Sequence, residues 1–208
     1  MTGTLTGGVG RVDIRWALSD AGNTVDSMNH VIRSIRSDEW AEVRELRLAA
    51  LRDPVAHLAF LETYEEAAAR PEAFWRERAA GAAEGTAGRR QFVAEGENGV
   101  WGGSVTVLVE EAGSRDFFGG VIERRQGHLV GVYVRPEHRG SGIGVTGALF
   151  DAALAWAWGS GLERLRLFVH EKNSRAEAFY RKAGFVPTGV SVTGDTGERD
   201  LEFVTTRA

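Results

Sequence analysis

Residues Leu129 to Trp158, LVGVYVRPEHRGSGIGVTGALFDAALAWAW, join a strand to a glycine loop and the loop to a helix. Val130, Val132 and Val134 alternate as in a strand, Pro136 ends it, and Gly140, Gly142 and Gly144 follow before Val145, Leu149, Ala153 and Trp156 recur at helical spacing. Glycines let a ligand approach the backbone closely, and a helix start offers unpaired N–H groups and the positive end of its dipole. The stretch therefore reads as a cradle for a phosphate-bearing ligand, and the rest of the chain must supply a sheet for its strand.

The chain has 208 residues, enough for one sizeable core, and 43% of them are hydrophobic. Its formal charge of −4 gives no general attraction to nucleic acid or to an anionic membrane, so neither is expected as a partner. There is no cysteine, which excludes disulfides, thiolate metal sites and a cysteine nucleophile. With no apolar run near the ~20 residues of a membrane span and no secretion-signal pattern, the expected location is cytoplasmic.

Residues 1–29, rich in Gly and Thr, read as an N-terminal appendage, either a flexible tail or an added hairpin, ahead of one domain over residues 30–208. His30 to Arg36 reads as a strand, then Ser37 or Asp38 as the N-cap of a helix bearing Trp40, Val43, Leu46 and Ala50. Thr63 and Glu66 resemble a capping box, and Pro71 opens a helix with Phe74 and Trp75. Gln91 to Glu95 and Val100 to Glu110 are strands joined at Asn98-Gly99. Gly113 to Gly127 reads as a loop and Arg164 to Val169 as a strand. Ser174 with Glu177 reads as the capping box of a helix that Gly184 stops, and Phe185 to Thr193 with Glu198 to Thr206 closes the chain as a hairpin. The order β α α β β β α β α β β predicts a mixed α/β (α+β) fold with helices on the faces of a sheet.

Gly142, Gly144 and Gly147 match G-x-G-x-x-G, which keeps a dinucleotide-dependent oxidoreductase in play. That fold needs its glycines directly after the strand and further βαβ units beyond, whereas Arg135 to Ser141 intervene here. The other spacing, Arg139-Gly140-Ser141-Gly142-Ile143-Gly144, is R-x-x-G-x-G after V-x-V-x-P. With Asn173-Ser174-Arg175-Ala176-Glu177-Ala178-Phe179-Tyr180-Arg181-Lys182-Ala183-Gly184-Phe185, an N-x-x-A-x-x-x-Y-x-x-x-G-F segment, the chain resembles the GCN5-related N-acetyltransferase (GNAT) superfamily from about His30 onward.

The resemblance implies a mostly antiparallel sheet of about seven strands with helices on both faces, acetyl-CoA as co-substrate, no metal, and acetyl transfer to a primary amine by direct attack. It implies that Arg139, Gly140, Ser141, Gly142, Ile143, Gly144 and Val145 form the pyrophosphate loop, and that Val132, Tyr133 and Val134 pair with pantetheine as an added strand. Asn173 would hydrogen-bond the pantetheine arm. Tyr180 stands at the general-acid position; its alternative role is to complete an apolar helix face. His128 stands where relatives carry a glutamate base, and it is read either as the base or as a solvated strand-end histidine. A glutamate that some relatives carry five residues before the asparagine is Phe168 here; Glu123, Glu65 and Glu66 are further base candidates. Phe60, Tyr64 and Trp75 are candidates for the acceptor pocket or for core. A non-catalytic CoA-binding domain is the remaining alternative. The acceptor and the oligomeric state do not follow from these residues, and a homodimer is compatible with them.

Overall fold

The Asn98-Gly99 turn folds β2 (Arg89–Glu95) back on β3 (Trp101–Glu110), whose alternating Val105, Val107 and Val109 suit a half-buried pleated surface. Around this pair the computed structural model, which describes residues 30–140, 144–194 and 197–207, builds one seven-stranded sheet. The other strands are β1 (Val31–Ser34), β4 (Gln126–Val134), β5 (Arg164–His170), β6 (Val186–Thr193) and β7 (Arg199–Thr206), in the spatial order β1-β2-β3-β4-β5-β7-β6. Only β4 and β5 run parallel; every other neighbour is antiparallel. The expected mixed, mostly antiparallel sheet is therefore present. The appendage read over residues 1–29 and the loop residues Ser141, Gly142 and Ile143 lie outside the described residues.

Among the described residues five α-helices cover the sheet: α1 (Trp40–Leu51), α2 (Tyr64–Ala68), α3 (Glu72–Ala80), α4 (Val145–Gly159) and α5 (Ser174–Lys182). Side-chain period divides the core in two. Val105, Val107, Leu129, Leu165, Leu167 and Phe203 pack one face against Leu149, Phe150 and Ala153 of α4 and Tyr180 of α5. Val93 and Tyr133 pack the other face against Val43 and Leu46 of α1 and Trp75 and Ala79 of α3. Each fully buried large side chain of this kind stabilises by roughly 1.5–3 kcal/mol. None of the described helices is long and apolar enough to cross a membrane.

Three local readings are corrected. The helix after Asn173 is capped by Asn173 itself, whose Oδ1 accepts from the Ala176 N–H at 3.2 Å, and not by Ser174; Glu177 instead accepts from Arg181 one turn on. Neither Ser37 nor Asp38 caps α1, because Glu39 occupies that position and its carboxylate accepts from the Arg36 N–H and from Arg33. Val130, Val132 and Val134 do not share a face. Thr106 pairs with Val130 but Ser104 with Tyr133, so β4 carries one extra residue, a β-bulge at Gly131. Gly131 has φ +62°, a backbone conformation that an L side chain adopts only with strain. The bulge leaves Val130 on the His128 side, while Val132 and Val134 pack into the α4 side of the core. The Thr63–Glu66 capping box and the Gly184 stop form as read; Gly184 and Phe185 N–H groups close a Schellman motif on Arg181 and Tyr180 carbonyls.

Candidate active site

β4 and β5 are hydrogen-bonded neighbours only at Gly127↔Leu165 and His128↔Arg166. Beyond that point β4 continues to Val134 and β5 to His170 without pairing, so the strands splay. Residues 129–134 thus present an interior strand edge with no strand beside it. Unpaired backbone groups away from water are costly, and an extended ligand that supplies the missing partners is the natural occupant. The Val134 carbonyl is already engaged, accepting from Arg139 Nε at 2.6 Å.

The open edge leads through a 3₁₀ turn (Pro136–His138) towards the start of α4. Gly144 takes the N-cap position at φ +64°, no side chain caps the helix, and its first turn holds no acidic residue. The leading N–H groups, beginning with Val145, have no partner inside the helix, and no acidic side chain of its first turn competes for them. Arg139 does not point a free guanidinium at this end. It hydrogen-bonds Asp53, lies 5.5 Å over the Tyr133 ring, and ties the loop to the end of α1. Burial pushes the Asp53 carboxyl up, but Arg139 and the Val55 N–H outweigh it and hold the group below its ordinary value.

Tyr180 lies on α5 with its ring against Phe150, Phe179 and Phe185 at 5.7–6.3 Å. Burial alone pushes its hydroxyl up to about 12, so it stays protonated through the neutral range. That hydroxyl has no hydrogen-bond partner among the described residues. Asn173, at the other end of the same helix, uses Oδ1 as a cap and keeps its amide N–H groups for another partner.

His128 is not a solvated strand-end residue. It is 6 % exposed, its Nδ1 lies 3.1 Å from Glu110 Oε1, and its ring meets Phe168 at 5.5 Å. Glu110, on the neighbouring β3, also accepts from Arg166 Nε at 2.9 Å and Nη2 at 2.7 Å and from Gln126 Nε2 at 2.9 Å. Arg166 reaches on to Asp116 of the β3–β4 loop and Glu202 of β7. Burial pushes Glu110 up, yet the His128 and Arg166 hydrogen bonds outweigh it and bring it down to about 2. The chain positions of Glu110, Arg166 and Glu202 gave no sign that they meet. Among the other base candidates, Glu66 is engaged in its capping box, and Glu65 and Glu123 are exposed.

Of the aromatic candidates, Trp75 is core, and Tyr64 receives a hydrogen bond from Arg52. Phe60 lines a cavity of about 20 Å³ between α1 and the sheet, beside Gly131 and Tyr133.

The sequence model of the acetyltransferase (GNAT) family matches residues 39–185. This chain belongs to the GNAT acetyltransferase family. Solved structures agree in fold. An acetyltransferase of the GNAT family from Streptococcus pneumoniae is 21% identical with a TM-score of 0.57, covering 86% of this chain and 100% of its own. PaiA N-acetyltransferase from Thermoplasma acidophilum, solved with coenzyme A, is 17% identical with a TM-score of 0.61, covering 84% and 98%. The yncA protein from Salmonella typhimurium, solved with acetyl-CoA, is 20% identical with a TM-score of 0.59, covering 86% and 94%. Comparison with curated proteins gives no match. As a GNAT acetyltransferase the chain is an acyltransferase, and the dinucleotide rival falls. A sheet with one parallel pair lacks the run of βαβ units that a dinucleotide crevice requires.

Proposed function

We propose that residues 30–208 bind acetyl-CoA and transfer its acetyl group to a primary amine by direct attack. The observation that carries this reading is the unpaired β4 edge running into the uncapped N-terminus of α4. An extended, amide-bearing arm that ends in a pyrophosphate fits both halves, and coenzyme A has that form. Val132, Tyr133 and Val134 would supply backbone groups to the arm and Asn173 a side-chain amide. Gly140 to Val145 would supply N–H groups to the phosphates, and Arg139, held by Asp53, would fix the root of that loop. Bound acetyl-CoA supplies an activated thioester.

In the transfer, the amine nitrogen forms a bond to the acyl carbon, the carbon–sulfur bond breaks, and the departing sulfur needs a proton. Tyr180, protonated and otherwise unpartnered, is the donor. The proton lost by the amine goes to His128, directly or through water. Glu110 at Nδ1 orients the imidazole and leaves Nε2 as the acceptor.

Thermal unfolding with and without acetyl-CoA tests the binding half: at 100 times the dissociation constant a ligand specific to the folded state adds about 2.7 kcal/mol. Release of CoA thiol with a panel of amines tests the transfer half. Absence of any thermal shift at saturating acetyl-CoA sinks the proposal. Binding without transfer to any amine would leave a CoA-binding domain.

A further inference from the structure

The small cavity between α1 and the sheet has an unusual lining. Arg47 of α1 and Arg78 of α3 both border it, on the same side of the sheet as His128. Arg47 is stacked 4.3 Å over Phe60 and hydrogen-bonded to Glu62 at 3.1 Å. Glu62 is also 3.6 Å from Arg70, so its single charge is shared. Arg78 has no hydrogen bond or ion pair among the described residues. Burial and the adjacent Arg47 charge pull its guanidinium below the ordinary value, and the charge of Glu62, already shared with Arg47 and Arg70, only partly offsets them.

The floor of the cavity is polar as well. Gln91, Ser104 and Thr106, from β2 and β3, line it, and none of their side chains has a hydrogen-bond partner among the described residues. Gln91 is 8 % and Ser104 6 % exposed. Three polar side chains without a protein partner, two of them buried, around one void bordered by two guanidinium groups form a lining suited to a small polar, anionic occupant. The Thr106 hydroxyl lies 4.0 Å from where a Cβ on Gly131 would stand, so the cavity abuts the β4 bulge. Its volume of about 20 Å³ admits one small group and no whole acceptor.

We infer that this cavity receives the carboxylate of an amino-acid acceptor, held by Arg78 and Arg47 with Ser104 and Gln91 beneath, so that the acceptor's amine lies towards the Gly131 bulge of β4. The inference rests on the acetyl-transfer reading and narrows its acceptor from amines in general to amines that carry a carboxylate. Two guanidinium groups against one shared glutamate leave a net positive site, which attracts a carboxylate and repels a diamine.

The test compares the twenty common amino acids with their carboxamides and decarboxylated amines, using CoA thiol release at saturating acetyl-CoA. The expected result is that kcat/KM for the preferred acid exceeds that of its own carboxamide by about a hundredfold, because a site built for one polar group rejects the analogue lacking it. Arg78→Gln should bring that ratio to within about tenfold of one, chiefly by raising KM for the acid, and Arg78→Lys should restore part of it. The ratio is internal to each variant, so partial unfolding cannot mimic its collapse. Equal rates for acid and carboxamide, or a ratio unchanged in Arg78→Gln, overturns the inference and leaves acetyl transfer standing. If no amine is acetylated, calorimetric titration of the same acids still decides. Binding lost in Arg78→Gln supports the anion site while the transfer reading falls; no binding to the wild-type protein, or equal binding to both, overturns it.

Discussion

Glutamine at position 110 keeps the shape of the side chain and removes the charge that joins β3 to His128 of β4 and Arg166 of β5. The size of the effect follows from the carboxyl itself, which the folded protein holds at about 2 against an ordinary 4.5. A depressed carboxyl contributes stability that is fully present above its unfolded value and is lost as pH falls through the folded one, here about 3 kcal/mol between pH 4.5 and 2. For a chain of this length that corresponds to a fall of roughly 6–12 °C in Tm for Glu110→Gln at neutral pH. Scanning calorimetry at fixed ionic strength from pH 7 to pH 3 is the assay. The wild-type Tm should drop as pH falls below 4.5, and the variant should start lower and drop less, with the remaining slope coming from the other carboxyls held below their ordinary values, Glu39, Asp53 and Glu95 among them. A variant with wild-type Tm at pH 7, or with an undiminished acid slope, would refute the assignment of this energy to Glu110.

Three further substitutions separate structure from chemistry. Tyr180→Phe keeps the ring among Phe150, Phe179 and Phe185, so Tm should move little while kcat falls by about 10²–10⁴; unchanged kcat removes Tyr180 as the acid. Gly131→Ala has open space for its methyl group, the nearest atom being Thr106 Oγ1 at 4.0 Å, so its cost is the backbone conformation alone, about 1–2 kcal/mol. Unfolding measurements should find it, and Gly131→Asn should recover part. Asp53→Asn releases Arg139, and isothermal titration should record acetyl-CoA affinity weakened by about tenfold, or about 1.4 kcal/mol. Undiminished affinity would mean that the loop needs no such anchor.

The sequence carried the architecture because the elements around the site announce themselves locally. Asn98-Gly99 forces a hairpin, Thr63 and Glu66 cap each other, and Gly184 ends α5. Two matters were not legible. The bulge at Gly131 sits inside an apparently regular Val-x-Val-x-Val run, and only pairing with β3 reveals the extra residue. Glu110, His128, Arg166 and Glu202 come from four strands, and Arg47 and Arg78 from two different helices. Proximity of that kind is a property of strand order and helix docking, and residue spacing along the chain does not encode it. Asn173 shows the opposite failure, since a Ser-x-x-Glu pattern one residue later looked like the better cap.

The two-pair junction between β4 and β5 also makes the sheet two panels with a seam. One panel holds β1 to β4, the other β5, β7 and β6, and α4 packs on the first panel, against β1 to β4. Pulled apart, the molecule should open along this seam first, and the amides of residues 129–134 should exchange with solvent faster than those of the fully paired β3. A molecule lying in the gap would act as a splint, so protection of those amides reports occupancy of the cleft even when no reaction follows.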